Sequence, residues 1–338
     1  MSAPLRVIDS GLRGARRNLS VTEALARGAR AGTTPDTLRF QHFPPSAIIG
    51  RHQILAREVD LDWVGRNGVA TARRMTGGGA IVMGPGILGW ELVVARRLLP
   101  VGLGEIARTI CAGAATGLST LGVAAAFRPR NDIEVDGRKI GGTGGYFDGD
   151  HLVFQGTALV ALDRRLLVNA LRLPAHKLGR HGVETLAQRI TDLASLLGSP
   201  PSMTAVQAAL AAGVAGALGM AARPSGLSSD EEAAADAIHD AEIGNDAFVT
   251  GQDDRFGQEG VTLAGRHAAP GGLIEVALKL RDGAAEIIDQ AMIAGDFFAA
   301  RPRVIADLEA HLRHLPVAAA ADAARRFLAE NDAGFLGL

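Results

Sequence analysis

Cysteine is nearly absent from this chain, which carries one, Cys111, among 338 residues. No internal disulfide can staple the fold, and such usage fits a reducing compartment. An excess of either charge is missing as well: lysine and arginine total 35 against 36 acidic residues, a net charge of −1. That balance lacks the electrostatic footprint of a nucleic-acid binder or of a protein drawn to anionic membranes. The opening stretch MSAPLRVIDSGLRGARR has no apolar h-region of a secretory signal, so the expected location is cytoplasmic. Long apolar runs of the leucine type are missing too. The uncharged windows Thr109–Phe127 and Met203–Ala222 are rich in alanine and glycine, from which a bilayer gains little; they predict soluble helices packed closely through small residues. Nine histidines lack the spacing of a zinc site, and His311 and His314 read as surface residues.

Hydrophobic residues make up 47% of the chain, ample for a core, and at roughly 150 residues per domain the length suggests about two domains. Short apolar runs at Leu38–Gln41, Ala47–Gly50 and Val69–Ala72, set off by prolines and Gly68, predict strands, as does Gly86–Ala95. Helical spacing covers Asn18–Arg27, Leu103–Leu121, Glu184–Leu197 and Met203–Met220. Between these lies a meander, Asp132–Val135, Lys139–Phe147 and Leu152–Leu162, joined by the turn dipeptides Asp136-Gly137 and Asp148-Gly149. Ser229 with Glu232 three positions on predicts a capping box opening a helix over Asp230–Asp240. Gly251–Gly260 has few apolar residues and reads as a mobile linker. Beyond it, Leu273–Arg281 and Ala285–Ala294 predict a hairpin around Asp282-Gly283, followed by a helix over Arg303–Leu315. The expected class is α+β: a large mixed α/β domain with an antiparallel-rich sheet over residues 1–250, a linker over 251–271 and a small α+β domain over 272–338.

Two segments carry chemistry. In Arg73-Arg74-Met75-Thr76-Gly77-Gly78-Gly79-Ala80, three consecutive glycines cost chain entropy and add no side-chain packing, so they suit a place where backbone presses against a ligand. The flanking arginines supply charge for a phosphate or carboxylate, and exposed N–H groups form a nest for anions. A flexible surface turn with solvated arginines is the competing reading. In the second segment, Asn131 and Asp132 open a strand, and Lys139 follows a tight turn among Gly141, Gly142, Gly144 and Gly145. An uncrowded lysine there can reach a bound anion, a charged hydrogen bond worth about 1.5–3 kcal/mol. An isolated turn lysine would otherwise point into water.

In their order, these segments resemble the lipoate–protein ligases, of the biotin/lipoate protein ligase superfamily. Arg73–Ala80 is similar to that family's arginine-arginine-x-serine/threonine-triple-glycine-alanine motif, and Asn131–Gly142 to its asparagine-aspartate segment with the following lysine. Asn18-Leu19-Ser20, Thr37–Phe40, Ile49–Gln53, Phe154–Thr157, His176-Lys177-Leu178, Gly182-Val183-Glu184 and Arg189–Leu193 extend the likeness. Gly272–Val276 and Gly295-Asp296-Phe297-Phe298 resemble its C-terminal accessory domain. The resemblance implies a catalytic domain, a linker and an accessory domain. It implies ATP and Mg²⁺, lipoate or octanoate as substrate, and an acyl-adenylate whose acyl group passes to a lysine of a lipoyl carrier domain. Lys139 would contact acyl carbonyl and phosphate; Arg74, Gly79, Ala80, Ile81 and Val82 would hold the nucleotide. Arg73, Gly77, Gly78, Gly79, Gly142 and Thr157 would border the substrate, and Asn131 and Asp132 would orient phosphate or, through Asp132, Mg²⁺. A monomer is the expected assembly.

One departure stands out: Met83 occupies the place of the family's usual histidine, and a thioether donates no hydrogen bond. The nearest rival is an octanoyl or lipoyl transferase of the same superfamily, which needs a cysteine thioester. Cys111 is the only candidate, expected in a helix far from both glycine segments. A biotin ligase would need a different arginine-glycine loop, and a non-catalytic carrier-binding protein would not need Arg74 and Lys139. The glycine-rich Gly251–Gly272 stretch is expected to let the accessory domain swing between the half-reactions.

Overall fold

Apolar residues at nearly every position of Ile87–Ala95 (β6) suit a strand covered on both faces, and all but its last residue are buried. The computed structural model, which describes residues 4–172, 188–256, 260–269, 272–281, 286–331 and 334, puts β6 inside an eight-stranded sheet. On one side of it lie Thr37–His42 (β2), Leu5–Leu12 (β1) and Ala222–Ser225 (β11). On the other lie His151–Leu159 (β10), Arg138–Asp148 (β9), Asp132–Val135 (β8) and Ala126–Arg128 (β7). The expected meander is present: β8, β9 and β10 are successive antiparallel neighbours, with Gln155 opposite Gly144.

A second, three-stranded sheet has Ser46–Ile49 (β3) at its centre, parallel to Ala70–Arg73 (β4) and antiparallel to Ile81–Met83 (β5). The triple-glycine segment therefore bridges two strands that flank β3. It crosses the end of β3 so closely that a Cβ on Gly50 would collide with the carbonyl oxygen of Gly78.

One core cluster fills the space between the large sheet, the helix Ala15–Arg30 and the small sheet. Another lies under the helices Leu103–Ser119 and Met203–Ala217. These two helices are the small-residue windows, and their backbones touch: a Cβ on Gly213 would meet the Gly113 carbonyl, and one on Gly117 the Ala209 carbonyl. Among the described residues, no helix is long and apolar enough to cross a membrane. Trp90 is buried in this second cluster, tilted against Phe154.

Several local expectations need correction. The capping box is set one residue earlier, with Ser228 as N-cap and Glu231 as its partner. Both registers satisfy the local pattern; tertiary pairing chooses, because Glu231 is held by Arg6 of β1 while Glu232 faces Arg13 and Arg17. Much of the expected mobile linker is structured: Asp246–Phe256 is a helix, and Asp253 accepts the amides of Leu55 and Ala56. Leu263–Ala269 (β12) then pairs with Gly272–Leu280 (β13), which pairs with Ile288–Gly295 (β14), so the predicted hairpin is part of a three-stranded sheet. Its predicted turn at Asp282-Gly283 falls outside the described residues. The helix expected over Glu184–Leu197 is described only from residue 188; it is interrupted at 190–192 and resumes as Leu193–Leu197 after the N-cap Asp192. Thr191 is instead tied to the Lys139 carbonyl. The matches at His176–Leu178 and Gly182–Glu184 lie outside the described residues. Strands β1 and β11 and the helix Val317–Glu330 escaped the periodicity.

Candidate active site

Lys139 lies on the second residue of β9, and its amine reaches back to Asp132 on the paired strand, 2.8 Å away. The same carboxylate takes Arg128 at 2.7 Å. Burial pushes the Asp132 carboxyl up, but the two cations outweigh it and hold the group below its ordinary value. A Cβ on Gly142 would come within 2.5 Å of the lysine amine, so the bare backbone at 142 is what gives Lys139 its room. Thr157 accepts the Gly142 amide at 3.2 Å. Asn131 is committed to the fold: its amide nitrogen donates to the Thr143 carbonyl at 2.5 Å, and its own carbonyl accepts the Thr143 amide.

The triple-glycine loop comes down on this same face of β9 and β10. Thr76 donates to Gln155 at 3.2 Å, and Gln155 donates to Glu91 at 3.3 Å. A single ring, that of Phe298 from the small domain, touches both Gly78 and Gly144. Alternate strand residues share a face, so Gly142 and Gly144 look the same way, and the lysine amine lies about 7 Å (two residues) along the strand from that ring. The structure thus brings Lys139, Gly142 and Thr157 to the gap bordered by Gly77 and Gly78. Around Gly79 the space is open apart from an Asp296 oxygen 3.9 Å from where its Cβ would be. Ile81 and Val82 continue into β5, with Ala80 leading in.

The two arginines face inward. Arg73 donates to the carbonyls of Gly50, Arg51, Gln53, Phe248 and Val249, and Arg74 to those of Ile48, Gly77 and Gly79 and to the Thr76 hydroxyl. Both are buried, and burial lowers each guanidinium to about 10. Neither is the solvated arginine of a surface turn: Arg74 holds the Gly77 and Gly79 carbonyls inward, while Arg73 ties the carbonyls of Gly50, Arg51 and Gln53 to those of Phe248 and Val249. The expectation gave the Arg74 side chain to the nucleotide and Arg73 to the substrate border; in this structure each guanidinium is engaged by protein oxygens.

Met83 is 2% exposed and packs in the core beside Phe43 and Gly89, so the place of the usual histidine is apolar here. Cys111 is nearer the site than expected, because the helix Leu103–Ser119 lies against β9 and the thiol touches the Thr143 hydroxyl at 3.3 Å. It is fully buried, and burial pushes the thiol up to about 12. No group of three metal-ligating side chains occurs among the described residues.

Residues 14–215 match the family model of the lipoyl protein ligase A/B catalytic domain. The chain belongs to the lipoyl protein ligase A/B family. Among its relatives is an octanoyltransferase, LipM, of Symbiobacterium thermophilum, 32% identical over 73% of this chain and 98% of that protein. A bi-partite lipoate protein ligase from Thermoplasma acidophilum, described with its E2 lipoyl domain, superposes with a TM-score of 0.66 at 26% identity, over 74% of this chain and 97% of that one. The structure of P. falciparum LipL1 in complex with lipoate shares the fold over 97% of this chain and 94% of that one, with a TM-score of 0.73 at 16% identity. The two-part architecture, including the small C-terminal domain, is thus that of the lipoyl ligases.

Within this family frame, two residues stand out to which the sequence reading gave no role, although both lie in segments that resemble the family. Arg51 is largely buried beside the loop, its guanidinium 5.1 Å from the Phe248 ring and 3.7 Å from the Met75 sulfur. It forms no ion pair among the described residues, and burial lowers its pKa. The other is Phe298. Their segments, Ile49–Gln53 and Gly295–Phe298, carry the family likeness, but no local pattern records what each side chain touches, since arginine and phenylalanine owe their surroundings here to distant segments. His52 braces the same junction, stacked on Phe297 at 5.0 Å with its carbonyl accepting the Gly295 amide. Burial, with Arg51 and Arg73 nearby, depresses His52 to about 3. The folded ring therefore stays neutral while the unfolded one protonates near 6.5. Its stabilisation is complete above pH 6.5 and shrinks as pH falls towards 3, by about 1.4 kcal/mol per unit. Relative to His52→Gln, the native protein is expected to lose about 2 kcal/mol more between pH 7 and pH 5. Parallel denaturation midpoints for the two proteins across that range would show the assignment to be wrong.

Proposed function

We infer that this enzyme is an ATP-dependent ligase that activates lipoate or octanoate as an acyl-adenylate and transfers the acyl group to a lysine of a lipoyl carrier domain. The observation that carries this reading is the Lys139 amine beside Gly142, next to a glycine loop whose carbonyls at Gly77 and Gly79 are tied back by Arg74. The first step joins two anions. A carboxylate oxygen of the acid attacks the α-phosphorus of ATP, and pyrophosphate leaves with the electron pair of the broken P–O bond. Cationic and N–H neutralisation is what that step requires, and Lys139 with the amides from Gly79 to Val82 supply it. In the second step the carrier's neutral ε-amine attacks the acyl carbon, AMP departs, and the amine loses a proton to form the amide.

Asp132 is the residue to which the resemblance gives a Mg²⁺ ion. Its two oxygens already face Lys139 and Arg128, so a metal fits there poorly.

Transfer without ATP is the competing chemistry, and it needs a thiolate. Cys111 is fully buried with its thiol raised to about 12, which argues against that route. Incubation with octanoate or lipoate, ATP and an apo lipoyl domain is expected to release pyrophosphate and add one acyl mass to the domain. Cys111→Ala should retain that activity within about threefold. Acyl transfer from an octanoyl-loaded carrier without ATP, abolished in Cys111→Ala, would identify a transferase instead.

A further inference from the structure

The segment Gly295–Ala300 of the small domain reaches into the site and is bound there along its backbone. The Gly78 amide donates to the Phe297 carbonyl at 3.0 Å, the Phe147 amide to the Ala300 carbonyl at 2.7 Å, and the Gly295 amide to the His52 carbonyl at 2.9 Å. A Cβ on Gly77 would strike the Phe297 carbonyl. The Phe298 ring then lies in the gap itself, with Cε1 2.8 Å from where a Cβ on Gly78 would stand and Cδ1 3.2 Å from that of Gly144. The bare positions on both walls are therefore filled, in this state, by a ring from the same chain.

We propose that Phe298 is an internal competitor for the acyl cleft, so that an acid enters only when this ring withdraws from between Gly78 and Gly144. The proposal rests on the acyl-binding role given above to the triple-glycine loop. An apolar acyl chain and a phenyl ring suit the same gap, and two groups cannot share a space whose walls the ring already touches. The energy that holds the plug is modest in kind: three backbone hydrogen bonds and one ring, all at a junction between two domains, and such junctions open more readily than cores. Acid affinity is then reduced by the fraction of molecules with the ring seated.

The test uses the full chain and two independent readouts. In titrations with octanoate and with lipoate, without ATP, Phe298→Ala is expected to bind about tenfold more tightly than the native protein, and Phe298→Trp more weakly. A residue that merely walls the pocket would give the reverse sign, since truncating it removes contacts with the acid. Unchanged or weakened binding in Phe298→Ala would overturn the proposal. In hydrogen exchange of the native protein, the amides of Gly78, Phe147 and Gly295 should exchange by local opening, at least tenfold faster than the core amides of β6. Exchange of those three at the rate of global unfolding would also overturn it. If they open locally but neither acid binds any variant, the displaceable contact stands and the acyl reading of the cleft falls.

Discussion

Lys139→Ala is expected to abolish acyl-adenylate formation while leaving the protein folded. Among the described residues, the amine is the one lysine charge at the gap, placed by β9 and freed by the bare backbone at Gly142. Removing a preorganised donor aimed at developing charge typically costs about 10²–10³-fold in rate. The stability cost should be small. Lys139 is about a third exposed, and Asp132 keeps Arg128 after the lysine is gone, so the loss is at most about 1 kcal/mol. The two magnitudes separate a chemical role from a structural one. Pyrophosphate release followed with octanoate and ATP, alongside a urea midpoint, decides between them; turnover within a few-fold of native would refute the assignment.

The largest effect on stability is expected at Glu91. Its carboxylate and the Arg39 guanidinium are both fully buried in the face of the sheet below the loop, 2.6 Å apart. Arg39 also contacts Ser10, Asn18 and Thr22, and Glu91 accepts from Thr22 and Gln155. Replacing Glu91 with leucine leaves a buried guanidinium without its carboxylate, a loss of about 3–5 kcal/mol. The double variant Arg39→Met/Glu91→Leu removes both charges and should recover most of it. Because Gln155 links Glu91 to Thr76, the single variant should also slow adenylation by loosening the loop. Equal denaturation midpoints for the single and double variants would show that the pair has no such role.

Much of this architecture was legible in local chemistry. The turn dipeptides Asp136-Gly137 and Asp148-Gly149 mark the meander because positive φ is needed there, and Asp136, Gly137 and Gly149 all adopt it. The small-residue windows foretold the close helix crossing at Gly113, Gly117 and Gly213. Other features had no local signature. Strand β1 and the exposed strand β11 are stabilised by pairing with each other and with β2. The capping register at Ser228 was settled by Arg6, more than two hundred residues away. Residues 251–256 look like linker in composition, yet Asp253 makes them part of the fold.

By itself the sequence determined the order and spacing of the glycine loop and the Asn131–Lys139 segment, and through them the family. These are backbone requirements, satisfied or broken within a few residues. Only the tertiary structure decided what Arg73, Arg74 and Phe298 do. Their partners are carbonyls and bare backbone brought from distant parts of the chain, such as Val249 for Arg73, 176 positions away. A charged or aromatic side chain takes its role from whatever packing places at its tip, and no local pattern records that.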